Sequence, residues 1–246
     1  MTAGWAYQLC YGEEFETSKD AIHEQFTEYE TTCRLLMKAI ELMPAEDTPS
    51  KKTVTTDAPE LGAVLSRGHI GRRISLPVSD PGHVGVVPFD PSCVEAASLD
   101  VRLGHWFASM RRTRLKGVRL GNPSGENLLR TVGREETFIP RGKAFLIHPG
   151  DLVLGVTLEF VALPGDLMAF VEGKSRLGRL GLIVATASTI GPGFHGVVVL
   201  ELANAGTVPL ELEPGMAVAQ LVFQKMTEVL KADQMYRGKF YCQIKP

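Results

Sequence analysis

From about Ala63 onward the chain is a succession of short β-rich runs separated by Pro-Gly pairs, and this texture constrains the fold more than any other feature. The runs are KAFLIH, DLVLGVTLEF, DLMAFVEG, GLIVATAS, GVVVLELANAG and MAVAQLVFQKM, and the pairs begin at Pro149, Pro164, Pro192 and Pro214. Proline presets φ at one turn position and glycine accepts positive φ at the next, so each pair predicts a tight turn. Many short strands with regular turns predict a sandwich, jelly roll or barrel, and they argue against an alternating βα fold.

Ahead of this region the composition differs. In residues 17–44 the apolar positions Ile22, Phe26, Tyr29, Cys33, Leu36, Met37 and Ile40 recur at three- and four-residue steps, which predicts an amphipathic helix with Thr17 and Asp20 near its start and Pro44 after its end. Residues 45–60 are polar and proline-containing and read as a linker. The expected organisation is a helical extension and linker over 1–60, a main domain over 61–230, and a tail over 231–246. Net charge is −2, but residues 1–60 hold twelve acidic and five basic side chains, so the remainder is mildly basic. That suits a phosphorylated small molecule and gives no reason to expect nucleic acid. The basic run at 111–120 reads first as a solvated hairpin or loop. No apolar run approaches the roughly 20 residues of a membrane span, and Met1 to Cys10 lack the pattern of a signal peptide. Cys10, Cys33, Cys93 and Cys242 form no CxxC pair. They read as reduced thiols of a cytoplasmic protein, neither a disulfide set nor a zinc site.

Two segments bear on chemistry. Val171 to Leu182, VEGKSRLGRLGL, reads as a strand end followed by a short helical turn beginning near Lys174, with Ser175 and glycines that let a phosphate approach. In VVVLELANAG, Val197, Val199 and Glu201 share one strand face, while Val198, Leu200 and Leu202 share the other. A carboxylate in such an apolar run is costly to bury unpaired. From the residues alone Glu201 is either a surface glutamate, one paired with an arginine, or a functional group. Arg179 has the alternative of a structural ion pair, Ser175 of a helix cap, and Phe194 of plain core.

The EGKSRLGRLGL segment resembles the EGKSSLGRLGL segment of dCTP deaminases. DPSCVEAASLDVRLG (90–104), HPGDLVLGVTLEFVALP (148–164), TASTIGPGFHGVVVLELANAG (186–206), PLELEPGMAVAQLVF (209–223) and the tail GKFYCQ resemble further segments of that family in the same order. The resemblance covers roughly residues 63–243. It implies a mostly-β fold of the dUTPase-like type, a distorted β-barrel or jelly roll, here with an extra N-terminal α-helix. It implies hydrolytic deamination at C4 of a cytosine deoxynucleotide, dCTP to dUTP plus ammonia, without zinc, since the H-x-E and P-C-x-x-C constellation of zinc deaminases is absent. Glu201 takes the place of a buried catalytic glutamate acting as general acid and base. Arg179 and Ser175 would hold the carboxylate, water and base in register, and Ala187 would leave space beside the water. Lys174 would contact phosphates, Phe194 would lie against the sugar, and Val199, Gln220, Tyr236, Lys239 and Gln243 complete the implied substrate contacts, the last three from a tail that folds over the nucleotide. Mg²⁺ is expected through the triphosphate, and a homotrimer with sites between subunits is implied.

Two positions depart from the family pattern. Gly191 in Ile190-Gly191-Pro192-Gly193 replaces an aspartate that bonds the deoxyribose 3′-hydroxyl, and Arg176, itself a candidate bidentate phosphate ligand, replaces a second phosphate-binding serine. They point to an altered substrate preference. The alternatives to deamination are a dUTPase-like or bifunctional diphosphohydrolase, which Gly191 argues against, and a catalytically weak regulatory homologue.

Overall fold

The computed structural model describes residues 62–110, 133–185, 188–231, 233–235 and 244–246, together with Thr31, which lies in a helix. The predicted helix over 17–44 (Thr31 apart), the linker at 45–60 and the basic run at 111–120 lie outside the described residues.

The described chain opens with α1 (Arg67–Ser75), an element the sequence reading does not anticipate. Its stretch RGHIGRRIS buries only Ile70, so the apolar periodicity that marks a helix is missing. The strands follow: β1 (Gly85–Val87), β2 (Leu99–Met110), β3 (Arg134–Phe138), β4 (Phe145–Ile147), β5 (Leu152–Ala162) and β6 (Leu167–Gly173). A four-residue helix, α2 (Ser175–Gly178), leads to β7 (Leu182–Ala185), β8 (Thr189–Ile190), β9 (His195–Asn204), β10 (Leu210–Leu212) and β11 (Ala217–Lys225). Each of the six β-rich runs forms a strand, and the mostly-β barrel-like architecture is as expected. The main sheet has nine strands in the order β7-β9-β5-β2-β11-β6-β8, with β1 also pairing β5 and β3 pairing β2. Strands β10 and β4 form a separate ribbon.

Of the four Pro-Gly pairs that separate these runs, three place glycine at positive φ: Gly150 at 83°, Gly193 at 78° and Gly215 at 93°. The fourth differs. Gly165 is needed for close approach, because a Cβ there would meet the Leu230 carbonyl oxygen at 2.7 Å and the Met235 side chain.

The sheet curls about β2, whose first half pairs with β11 (Asp100↔Gln220, Val101↔Ala219) and whose second half pairs with β5 (Phe107↔Gly155, Ala108↔Leu154). The inward row Leu99, Val101, Leu103 and Phe107 joins Val198, Leu200, Leu202, Leu221 and Phe223 in one core, all at most 3% exposed. Where β2 changes partner, Arg102 is buried against Glu159. Its Nε donates to one carboxylate oxygen at 2.6 Å and its backbone N–H to the other at 2.8 Å. Burial pushes the Glu159 carboxyl upward, and the Arg102 guanidinium and N–H oppose that shift.

At the far end of the sheet Gly181 has φ 99°, and its carbonyl accepts from Ala205 N–H at 2.8 Å. This contact ties the turn after α2 to the end of β9.

Two outcomes are expected in chemical unfolding. Arg102→Met strands the Glu159 carboxylate and should cost roughly 3–5 kcal/mol near neutral pH. In that variant the folded-state pKa of Glu159 lies further above its unfolded value of 4.5, so the cost shrinks as pH falls towards that value. Gly181→Ala forces a Cβ to 2.5 Å from Gly206 N at a positive φ and should cost at least about 2 kcal/mol.

Candidate active site

The expected alternation along β9 holds. Val198, Leu200 and Leu202 enter the main core, while Val197 joins Trp106 and Val156 in a second cluster against which Val199 and Phe138 pack. Glu201 therefore lies on the outer face of the sheet. Its neighbours across the strands are Ala185 on β7 and Leu154 on β5, and Val199 and Ala203 share its face along β9. The next row reads Ile183, Ala203, Leu152, with Ile183 45% and Leu152 52% exposed. Glu201 is thus a carboxylate within an apolar patch open to solvent.

The expectation of a buried Glu201 is not met within one chain: the residue is exposed. The face that carries it is not the one that closes over the main core, and Glu201 lies beyond the second cluster, at the open end of that face. His195, on the same face at the other end of β9, is half-buried, and burial lowers its pKa.

Lys174 caps the start of α2 with its backbone, without a side-chain cap bond. Ser175 is thus the first helical residue and not the cap. Arg179 follows the helix, and its N–H donates back to Ser175 O at 3.1 Å. The side chains of Ser175, Arg176 and Arg179 are exposed, and among the described residues none of them, nor Glu201, makes a hydrogen bond or ion pair. The structural ion pair considered for Arg179 is thus not found among the described residues. No contact within the described chain brings Arg179 or Ser175 onto Glu201.

Lys174 behaves otherwise. Its Nζ donates to both carboxylate oxygens of Asp100, at 2.5 and 2.6 Å, and both side chains are largely covered, at 18% and 13% exposure. Asp100 belongs to a row that runs across three strands, Asp100 on β2, Gln220 on β11 and Glu172 on β6. Gln220 also accepts from the Ser98 hydroxyl at 3.0 Å. Asp100, Ser98 and Glu172 are absent from the sequence-based site: Glu172 adjoins Lys174 along the chain, but Ser98 and Asp100 come near it only through strand pairing across more than seventy residues. The only local hint is the SLD triplet opening β2.

Phe194 is 7% exposed and packs in the main core, so its ring is not presented to a sugar at the surface. Gly191 sits in an open turn where a Cβ would meet nothing within 4 Å. Beside it, a Cβ on Gly193 would approach Met235 Cβ to 2.5 Å, and Leu230 N–H donates to Gly165 O at 2.9 Å. The chain leaving β11 thus packs on the Gly191–Phe194 turn. Its last residues return to the second cluster, where Lys245 Nζ lies 4.0 Å over the Trp106 ring. Ala187, Tyr236, Lys239 and Gln243 lie outside the described residues. Of the four cysteines Cys93 is described: burial, and then Asp90, push its thiol up to about 11, which leaves it protonated at neutral pH. No helix among the described residues is long and apolar enough to cross a membrane.

Comparison with known proteins adds to this geometry. The family model for dCTP deaminase-like proteins matches residues 64–226. The chain is 42% identical over 168 residues to a dCTP deaminase of Natronomonas pharaonis, covering 66% of this chain and 80% of that one. It is 44% identical over 149 residues to a dCTP deaminase, dUMP-forming, of Corynebacterium kroppenstedtii, covering 60% and 76% respectively. Among solved structures, a 2′-deoxycytidine 5′-triphosphate deaminase from Agrobacterium tumefaciens is similar in fold, with a TM-score of 0.50 at 24% identity over 68% of this chain and 49% of that chain. The matched span begins just after the described chain opens and ends one residue past β11, so it takes in the whole curled sheet with Glu201, Arg179 and Lys174, and the chain belongs to the dCTP deaminase-like family.

Proposed function

We propose that this protein hydrolytically deaminates a cytosine deoxynucleotide, converting dCTP to dUTP and ammonia, with Glu201 as general acid and base. The observation that carries the reading is Glu201 itself. It is a carboxylate without an intrachain partner among the described residues, set in an apolar sheet face, in a chain 41–44% identical to curated dCTP deaminases. A group of this kind has its lone pairs available for a water and a base.

In the proposed reaction a water molecule attacks C4 while the Glu201 carboxylate takes one of its protons. Glu201 then delivers that proton to ring N3, and the second water proton moves to the exocyclic nitrogen, which departs as ammonia and leaves C4 as a carbonyl. Proton transfer of this sort is worth roughly 10²–10⁴-fold. Arg179 and Ser175 would orient the water and stabilise the oxygen charge that develops at C4. Ala187 would leave room for that water, and Val199 and Gln220 would line the base and sugar. Tyr236, Lys239 and Gln243 would close from the tail. The zinc deaminase constellation is missing from the sequence, so the activation of water falls to the carboxylate. Among the described residues no three His, Cys, Asp or Glu side chains converge. A Mg²⁺ accompanying the substrate would therefore take its ligands mainly from phosphate oxygens and water.

Arg179 and Ser175 do not meet Glu201 within one chain, and the patch around Glu201 carries exposed Leu152 and Ile183. Both features support an assembly in which one subunit's Ser175–Arg179 segment covers another's Glu201, with three copies as the family resemblance implies. Gly191 supports dUTP rather than dUMP as product, since it removes the carboxylate that a second hydrolysis would use. The similar proteins include ones named dCTP deaminase and ones named dCTP deaminase, dUMP-forming.

Ammonia release from dCTP with Mg²⁺ tests the proposal, with dUTP, dUMP and diphosphate followed in the same assay. The expected result is ammonia and dUTP without diphosphate, and a loss of at least about a hundredfold in Glu201→Gln with nucleotide binding and melting temperature retained. A Glu201→Gln variant that releases ammonia at the original rate would remove Glu201 from the chemistry.

A further inference from the structure

Away from the Glu201 face, three exposed valines stand around α1. Val64 precedes the helix and is 49% exposed, Val78 follows it at 55%, and Val229 is 70% exposed. Arg73 of α1 pairs with Asp166, and a Cβ on the adjoining Gly165 would lie 3.6 Å from Val229 Cγ1, so Val229 comes to the C-terminal side of α1. The helix is open outwards. Arg67, Gly68, Arg72 and Ser75 are exposed, and a Cβ on Gly68 or Gly71 would meet nothing within 4 Å. Its sequence holds three arginines and no acidic residue.

The amphipathic helix expected over 17–44 has the complementary requirement. Its stripe of Ile22, Phe26, Tyr29, Cys33, Leu36, Met37 and Ile40 needs an apolar cover. At about 100° per residue, Glu30 and Glu41 border that stripe, while Thr31, which lies in a helix and is exposed, falls on the opposite side. The chain joins the described body beside α1. Gly62 N–H donates to Lys225 O at 3.1 Å, and Gly62 O accepts from Gln224 Nε2 at 2.9 Å. The linker at 45–60 spans on the order of 20–25 Å, more than the roughly 14 Å length of α1. Residues 17–44 are therefore held within reach of this surface at an effective concentration near millimolar.

We infer that the surface formed by α1 with Val64, Val78 and Val229 is the docking site of this chain's own N-terminal helix. The apolar stripe covers the valines, and Glu30 and Glu41 lie on the side of Arg67 and Arg72, where opposite charges attract. The docking is independent of the deamination chemistry.

Cross-linking in the full chain tests this, between the native Cys33 on the stripe and a second cysteine introduced by Val78→Cys or Val229→Cys, with a short bismaleimide. Val208→Cys, 59% exposed in the connection between β9 and β10, is the control. Mass mapping of the peptides is expected to show Cys33 joined within one chain to either of the first two positions and not to the third, with a yield that does not change on dilution. Phe26→Asp places a charge in the stripe and is expected to lower that yield several-fold. Cross-links formed only between two chains would give the surface to a second copy and overturn the intrachain docking. No cross-link at either valine, an equal yield at Val208→Cys, or a yield untouched by Phe26→Asp would overturn the docking surface itself.

Discussion

Strand β2 serves two halves of the sheet at once, and the rest of the molecule is arranged around that double pairing. Its residues from Leu99 to Arg102 bond to β11, and those from Leu103 to Ser109 bond to β5. A strand that changes partner along its length must bend, and the bend curls the sheet so that Leu103 and Phe107 meet Leu200, Leu202 and Phe223 in one core. Arg102 sits where the exchange occurs. Its backbone N–H and guanidinium both terminate on Glu159, which supplies the acceptor that a regular ladder would have provided. Thr157 continues the same repair, accepting from Val198 N–H at 2.9 Å and donating to Glu159 O at 2.8 Å. Thus the irregular stretch of β5 has its polar groups satisfied while remaining buried.

The curl also divides the candidate site into two surfaces. One is the apolar outer face of β7, β9 and β5 with Glu201 in its midst. The other is the polar row Asp100, Gln220 and Glu172 with the Lys174–Arg179 segment beside it. Each holds part of a constellation, and the exposed aliphatic side chains around Glu201 are of a kind that a soluble surface seldom displays together. Gly181 fixes the end of the cationic segment to the end of β9, so the two surfaces are rigidly related within a chain although their functional groups do not touch.

The strands were legible because Pro-Gly punctuation and β-branched runs are local signals, and the inward and outward sets on β9 followed from the alternation of side chains. The resemblance to dCTP deaminases singled out Glu201, Arg179 and Lys174, and the family match spans all three. Three features escaped. α1 has too few apolar residues to show a period. Asp100 becomes a neighbour of Lys174 only through pairing of β2 with β11 and of β11 with β6. The burial expected of Glu201 came from the resemblance, and only the sheet's curl reveals which of the two faces of its strand closes on the core.

The sequence by itself determined the six β-rich runs, the Pro-Gly turns between them and the chemical inventory, since these depend on propensities and spacings within a few residues. It also determined that no zinc-deaminase ligand set is present. Tertiary structure alone decided which charges meet. Lys174 and Arg176 are both cations two residues apart, equivalent to any local rule. The register of strands distant in sequence places a carboxylate against the first and leaves the second without one, because Coulomb interactions depend on separation in space and not along the chain.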